Sequence, residues 1–387
     1  MLLQAGTLVC AAFTSFTLCA QSSEVPSLVT RPELLDYLRL PDGTYALGDM
    51  IVTQRYVDAL TGGPKAAFDG NKWPGGLLFY SFDATVSTGR RDLFRTAGAL
   101  WEDASGIQLV ESNSSPDRVN VVVPTGSFCN SNVGKQGGVQ IINLGDGCWF
   151  TRAVAHELGH ALGLEHEQNR SDRDSFVTIQ TTGSGTAPCD ALLAANWGLS
   201  PTANESAYDF ASIMHYSSYG SLTSAECKDG VTGTIIALVG QPPGAPAGSG
   251  SECSTAPSCT SLMGSVSGLS LRDSYGMASR YGYRIRLTRV GGGDGTMALA
   301  GAIESCGANC YLVARGSQVT VSAVPDANSY LIGFSGMGCA GRSCMPAAEA
   351  NGEIRVSFLR KRDLKLILAA PFTPTADALF ANGFEGS

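Results

Sequence analysis

Charge is scarce in this chain: Asp, Glu, Lys and Arg make up only 16% of it, and the net charge is −8. An acidic excess without a basic cluster argues against a nucleic-acid partner and leaves no patch for anionic lipid. Long apolar runs are missing too. Beyond the first twenty residues none approaches the ~20 residues that a membrane-spanning helix needs. No Cys-x-x-Cys pair occurs, which removes the common structural zinc sites and thiol redox motifs. Histidine is rarer still, with four in 387 residues. A metal site, if there is one, has to draw on those four.

What the chain does have is length for two domains and 47 glycines, the composition of a turn-rich extracellular protein. Leu8 to Leu18 is apolar but short, and Cys19-Ala20 followed by Gln21-Ser22-Ser23 offers a small-residue cleavage site. That pattern predicts a signal peptide over 1–20, although Met1-Leu2-Leu3-Gln4 carries no Lys or Arg. Twelve cysteines less Cys10 and Cys19 leave ten, an even number that fits disulfides formed in an oxidising compartment.

Three of the four histidines fall in one stretch: His156-Glu157-Leu-Gly-His160-Ala-Leu-Gly163-Leu-Glu-His166-Glu167. Trp149 to Ala155 is helix-compatible, so His156 and His160, four apart, share a helix face and reach one zinc ion. Glu157 stands beside them as the general base for a water at the metal. Gly163 tolerates positive φ, so it ends the helix and turns the chain back, bringing His166 round as a third ligand. Three protein ligands leave a fourth position open, which is a catalytic arrangement rather than a structural one. Zinc acting there as a Lewis acid on a carbonyl and on water makes amide hydrolysis the natural reaction.

The pattern resembles the metzincins, and within them the astacins, because Glu167 follows the third histidine. Gln168-Asn-Arg170-Ser-Asp172-Arg173-Asp174 is similar to the extended astacin signature, and Ser212-Ile213-Met214-His215-Tyr216, preceded by Tyr208-Asp209, to its Met-turn. The resemblance implies an α+β, zincin-like two-lobed metalloprotease with a twisted mixed sheet and a zinc-binding helix. It implies Met214 as a packing floor under one catalytic zinc ion, and no metal role for His215. Tyr216 would be a switchable extra ligand that stabilises the oxyanion. It further implies a Cys129–Cys148 disulfide ahead of the zinc helix, in a loop from Cys129 through Gly147-Cys148. Trp73-Pro74-Gly75-Gly76 and Leu77–Phe82 look like the first strand of the mature domain. Arg90–Asp103 has helical spacing behind possible caps Ser87 and Thr88, Val119–Val123 reads as a strand, and Leu269 through Tyr281 looks like the closing segment.

Two departures stand out. Astacins usually join the strand after the first long helix to the end of the domain by a disulfide, but Ser105-Gly106-Ile107 and Tyr281-Gly282-Tyr283 hold no cysteine. Some other clamp is expected. An insertion rich in Pro, Gly and Ser, from Gly240 through Cys259, reads as a surface loop stapled by Cys253–Cys259, leaving Cys189–Cys227 by elimination.

Upstream, Leu47-Gly48-Asp49-Met50 is similar to the astacin propeptide motif whose carboxylate takes the water position on zinc. Asp49 would then be the latency switch. Ala66-Ala67-Phe68 looks like the mature start, and its freed amino terminus would fold toward Glu167. Past Arg284 the chain turns β-rich, with alternation over Val319–Val324 and Ile354–Phe358, a strand at Tyr330–Phe334, and loop-spaced Cys306–Cys310 and Cys339–Cys344. This stretch resembles divergent internalin-type B-repeats, which points to a bacterial source. The expected plan is a signal peptide (1–20), a propeptide (21–65), a protease domain (66–284), a small all-β domain (285–370) and a tail (371–387). The expected function is a secreted zinc endopeptidase acting on protein or peptide substrates after an activating protease has cut it, with no nucleic-acid partner and no membrane span. The competing reading is a surface-binding or adhesive protein with a vestigial protease domain.

Overall fold

The computed structural model describes residues 25–61, 72–183, 185–200, 207–224, 227–228, 230–240 and 253–363. The expected leader, the mature start at 66–68, most of the insertion and the tail lie outside them. Among the described residues no helix is long and apolar enough to cross a membrane.

The chain opens with a short hairpin, β1 (Tyr45–Leu47) and β2 (Met50–Val52), and a two-turn helix, α1 (Gln54–Leu60). Then follow β3 (Leu77–Phe82), α2 (Thr88–Ala104), β4 (Gln108–Glu111), β5 (Arg118–Val122), β6 (Cys129–Asn132), β7 (Val139–Leu144) and α3 (Thr151–Ala161). These strands form one mixed sheet in the order β1-β2-β6-β7-β5-β3-β4. Val119 and Val121 on β5, with Leu78 and Tyr80 on β3, are buried by period-two alternation against Phe94 and Trp101 of α2 and Leu158 of α3. Burying that many large side chains is the main drive for this layer. Ser87 occupies the α2 N-cap position, but its hydroxyl makes no capping bond.

A second cluster is built around β8 (Val177–Thr182), α4 (Ala187–Trp197), β9 (Tyr219–Leu222) and β10 (Val231–Ala237), the strands pairing β8-β10-β9. Val177, Leu193, Trp197, Phe210, Val231 and Ile235 pack there. The end of the insertion is not all loop: α5 (Ala256–Leu262) starts at Cys253–Cys259, where Thr255 and Ser258 form a reciprocal capping box. Pro257 in its first turn suits a helix start. α6 (Leu271–Tyr281) then leads through Gly282 into β11 (Tyr283–Val290).

The β-rich remainder comprises β12 (Gly295–Ala300), β13 (Glu304–Gly307), β14 (Cys310–Val313), β15 (Thr320–Pro325), β16 (Ser329–Gly336), β17 (Cys339–Gly341) and β18 (Gly352–Arg360). Six strands pair in the order β13-β14-β11-β18-β16-β17, and β12 pairs with β15. Ile285, Val321, Phe334, Ile354 and Phe358 share its core with Ala278 of α6. Disulfides join Cys129–Cys148, Cys189–Cys227, Cys253–Cys259, Cys306–Cys310 and Cys339–Cys344.

How α3 stops decides where the chain goes next. The Leu164 N–H bonds back to the Gly159 carbonyl and the Gly163 N–H to that of His160, the paired bonds of a Schellman turn. Gly163 sits at φ +98°, and a Cβ there would lie 2.6 Å from the Arg280 guanidinium. Both the backbone and the neighbour demand glycine. A Gly163→Ala substitution is expected to cost about 1–3 kcal/mol of stability, read as a lower denaturant midpoint with unchanged slope; a midpoint equal to the parent's would refute this account of the turn.

Candidate metal centre

α3 carries His156, Glu157 and His160 in its buried second half, and the Gly163 turn swings His166 back toward them. The His160 Nε2 atom lies 3.1 Å from that of His156 and 3.2 Å from that of His166. Backbone carbonyls set the tautomers. His156 Nδ1 donates to Ile213 O and His160 Nδ1 to Leu164 O, both at 2.8 Å, so each Nε2 is left with a lone pair. Burial pushes the His160 pKa down to about 4, which keeps that ring neutral at working pH.

The lone pairs of His156 and His160, with nitrogens 3.1 Å apart, repel one another unless a cation sits between them. Tetrahedral zinc with nitrogen ligands at its usual bond length needs nitrogens about 3.3 Å apart, so the spacing fits. The fourth side is closed by Asp49. Its Oδ1 lies 2.6 Å from His166 Nε2 and 3.4 Å from His160 Nε2, and its Oδ2 lies 3.3 Å from His156 Nε2. Three imidazoles and one carboxylate are a competent donor set for one zinc ion.

The carboxylate arrives in the β1–β2 turn, immediately before β2. β2 adds in parallel to β6, with Met50 opposite Ser131 and Ile51 opposite Asn132. Ser131 N–H donates to Asp49 O and Val133 N–H to Ile51 O. Gly48, at φ +69°, makes the approach possible: a Cβ there would come within 2.8 Å of the Tyr216 hydroxyl. Leu34, Leu35, Leu38, Tyr45, Met50 and Val57 bury a small core of their own against Ala191, Ala194 and Ala195 of α4.

Glu157 is almost wholly buried, and its Oε2 has no hydrogen-bond partner among the described residues. Burial first, and the Asp49 charge second, raise its pKa well above the usual carboxylate range. Tyr216 is not one of the four clustered donors; its hydroxyl donates to Asp49 Oδ1 at 3.2 Å while its ring packs on His166. His215 lies apart from the cluster, bonded to the Tyr208 hydroxyl and the Tyr216 carbonyl. Met214 is buried in the same core as Trp101 and Leu158.

Sequence reasoning passed over two residues here. Asp273 accepts from the Ser212 hydroxyl at 2.6 Å and the Ile213 N–H at 2.9 Å, anchoring the turn that carries Met214. It also caps α6 through Ser270, and that Ser-x-x-Asp spacing was a readable signal. Arg152, in the first turn of α3, lines the cleft beside Asp49, His156, Glu157 and Tyr216. One guanidinium nitrogen donates to His215 O at 3.0 Å, while its buried Nε has no partner among the described residues. Glu167 accepts from Asp209 N–H and pairs with Arg170 at 3.2 Å; burial pushes its pKa up to about 8.

Comparison with known proteins agrees with this chemistry. Residues 66–241 match the family model Astacin (Peptidase family M12A). High choriolytic enzyme 1 of Oryzias latipes is 38% identical over 142 residues, covering 36% of this chain and 50% of the relative. Blastula protease 10 of Paracentrotus lividus is 32% identical over 190 residues, 45% of this chain and 32% of the relative. Zinc metalloproteinase nas-32 of Caenorhabditis elegans is 34% identical over 164 residues, 41% and 24% respectively. The chain thus spans between a quarter and half of these relatives. A solved structure of the Oryzias latipes hatching enzyme aligns over 54% of this chain and 90% of its own, with 26% identity and a TM-score of 0.39. Residues 66–241 thus match the astacin peptidase family model, and the histidines they contain form, with Asp49, a donor set that fits one zinc ion.

Proposed function

We propose that the chain is a latent, secreted zinc endopeptidase of extracellular proteins or peptides, held inactive by Asp49. The observation that carries this reading is the closed corner of the metal centre: three imidazole nitrogens and one carboxylate brought in by the turn of an N-terminal hairpin. His156, His160 and His166 would hold the zinc. Bound there, it would supply Lewis-acid polarisation of the scissile carbonyl and of the attacking water.

The chain's own residues do the rest. With Asp49 withdrawn, Glu157 takes one proton from the water as its oxygen bonds to the carbonyl carbon. It returns that proton to the amide nitrogen as the C–N bond breaks, leaving a carboxylic acid and an amine. The Tyr216 hydroxyl, which donates to Asp49 in the latent form, turns its donor to the oxyanion instead. The β6 N–H groups that bind the pro-segment offer the same edge to an extended substrate. Arg152 favours a substrate carrying a carboxylate beside the scissile bond. Trimming near Ala66 frees an ammonium that pairs with Glu167. Residues 285–370 we read as an appended unit of the internalin B-repeat kind, and the source as bacterial.

Two experiments test this reading. Trimmed, zinc-loaded protein should cleave casein or gelatin, and Glu157→Gln should keep its zinc while losing about 10²–10⁴-fold in kcat; activity retained in that variant would remove Glu157 as base. Asp49→Ala is expected to give an untrimmed precursor that already cleaves peptide, unlike its parent. A variant as latent as the parent would count against the aspartate switch.

A further inference from the structure

The two segments that lack the expected disulfide run side by side: Gly106 N–H donates to Gly282 O at 2.6 Å. The fastening comes from the β-rich region instead. Asn351, just before β18, sends its side-chain amide to the carbonyls of Glu102 at 2.7 Å and Ser105 at 2.6 Å. Those carbonyls belong to the last turn of α2 and the residue after it, where helices leave acceptors without partners. The Asn351 Oδ1 atom in turn accepts from Arg284 N–H at 2.7 Å, and the Arg284 guanidinium reaches Ile107 O at 2.6 Å. A second fastening lies at Glu304, on the first residue of β13, which accepts from Gly75 N–H at 2.6 Å.

Each fastened segment sits next to a fully buried tryptophan that holds α3. Trp101, adjacent to Glu102, donates its indole N–H to Ala155 O at 2.9 Å. Trp73, two residues before Gly75, donates to Ala161 O at 2.8 Å. His156 and His160 lie between those two carbonyls. We propose that the C-terminal β region braces the metal helix on either side of its two histidines, with Asn351 and Glu304 as positioning residues acting through Trp101 and Trp73. The proposal rests on the metal-centre reading, but not on which substrate is cut.

The test uses the full chain. Asn351→Asp keeps size and acceptor while removing the donor; Glu304→Ala removes the acceptor and Glu304→Gln restores it. Val321→Ala, in the β12–β15 pair, is a control that destabilises the β region away from the brace. Zinc loss to a chelator, measured well below the melting transition, should be about tenfold faster in Asn351→Asp and Glu304→Ala. In trimmed protein, kcat should fall several-fold with KM unchanged. Glu304→Gln should match the parent, and Val321→Ala should lower Tm without altering zinc loss. If the brace variants lower Tm only, or if Val321→Ala speeds zinc loss equally, the brace is wrong. Should Asn351→Asp fail to fold, the Glu304 pair decides alone. A parent that retains zinc yet cleaves nothing would count against the protease assignment while leaving the chelator result intact.

Discussion

Imidazole nitrogens brought to 3.1 and 3.2 Å from one another in a buried cluster are an unfavourable arrangement without a cation, and much of the structure serves to impose it. Water would solvate each lone pair separately, so the rings must be fixed by something stiffer than their own rotamers. Ile213 O and Leu164 O fix two of them by accepting from the far ring nitrogen. The Schellman turn at Gly163 delivers the third, and Glu167 N–H to Met214 O ties that turn to the segment beneath. Asp273 then anchors this segment from α6, more than a hundred residues beyond the helix. Convergence is therefore a tertiary property: no single element of the chain could hold it.

Under the proposed latency, the same constraint would let a short N-terminal segment silence the site. A carboxylate delivered to a donor set that lacks one ligand needs little intrinsic affinity if its backbone is already fixed. β2 provides that by pairing with the free edge of β6, and the small core against α4 holds the strand in register. Gly48 lets the chain pass close under Tyr216. The segment thereby meets at once the three histidines, the tyrosine donor and the strand edge.

Much of this was legible in the sequence because it depends on short spacings. His156, His160, Gly163 and His166 read out a helix and its turn, and β3 runs over Leu77–Phe82 as the family resemblance implied. The Met-turn and the Gly-Asp pair were visible through resemblance. What was not legible rests on contacts far apart in the chain. Arg152 is one residue among several in a helix start, and only the fold brings it to the cleft. Asp273 announces itself as a cap, but not as the anchor of a turn 60 residues earlier. The missing disulfide was plain from Ser105 to Ile107; that Asn351 would answer it, 246 residues away from Ser105, was not. The insertion misled because Pro and Ser suit helix starts as well as loops, and α5 uses them so.

Glu167, Asp209 and Asp273 place three carboxyl groups in one buried region behind the metal helix. Burial raises the pKa of each, to about 8 for Glu167 and about 6 for Asp273. The cations in reach are shared: Arg170 serves Glu167 and also Asp172. A buried carboxyl with incomplete compensation is held partly as the neutral acid, at a cost that a further cation would remove. An α-ammonium exposed by trimming would be such a cation, arriving next to His166 and to the Met-turn that Glu167 and Asp273 both hold. If the proposed trimming occurs, the acidic cluster would act as a receptor left incomplete in the precursor, and the cut would supply a charge to this buried region as well as release Asp49.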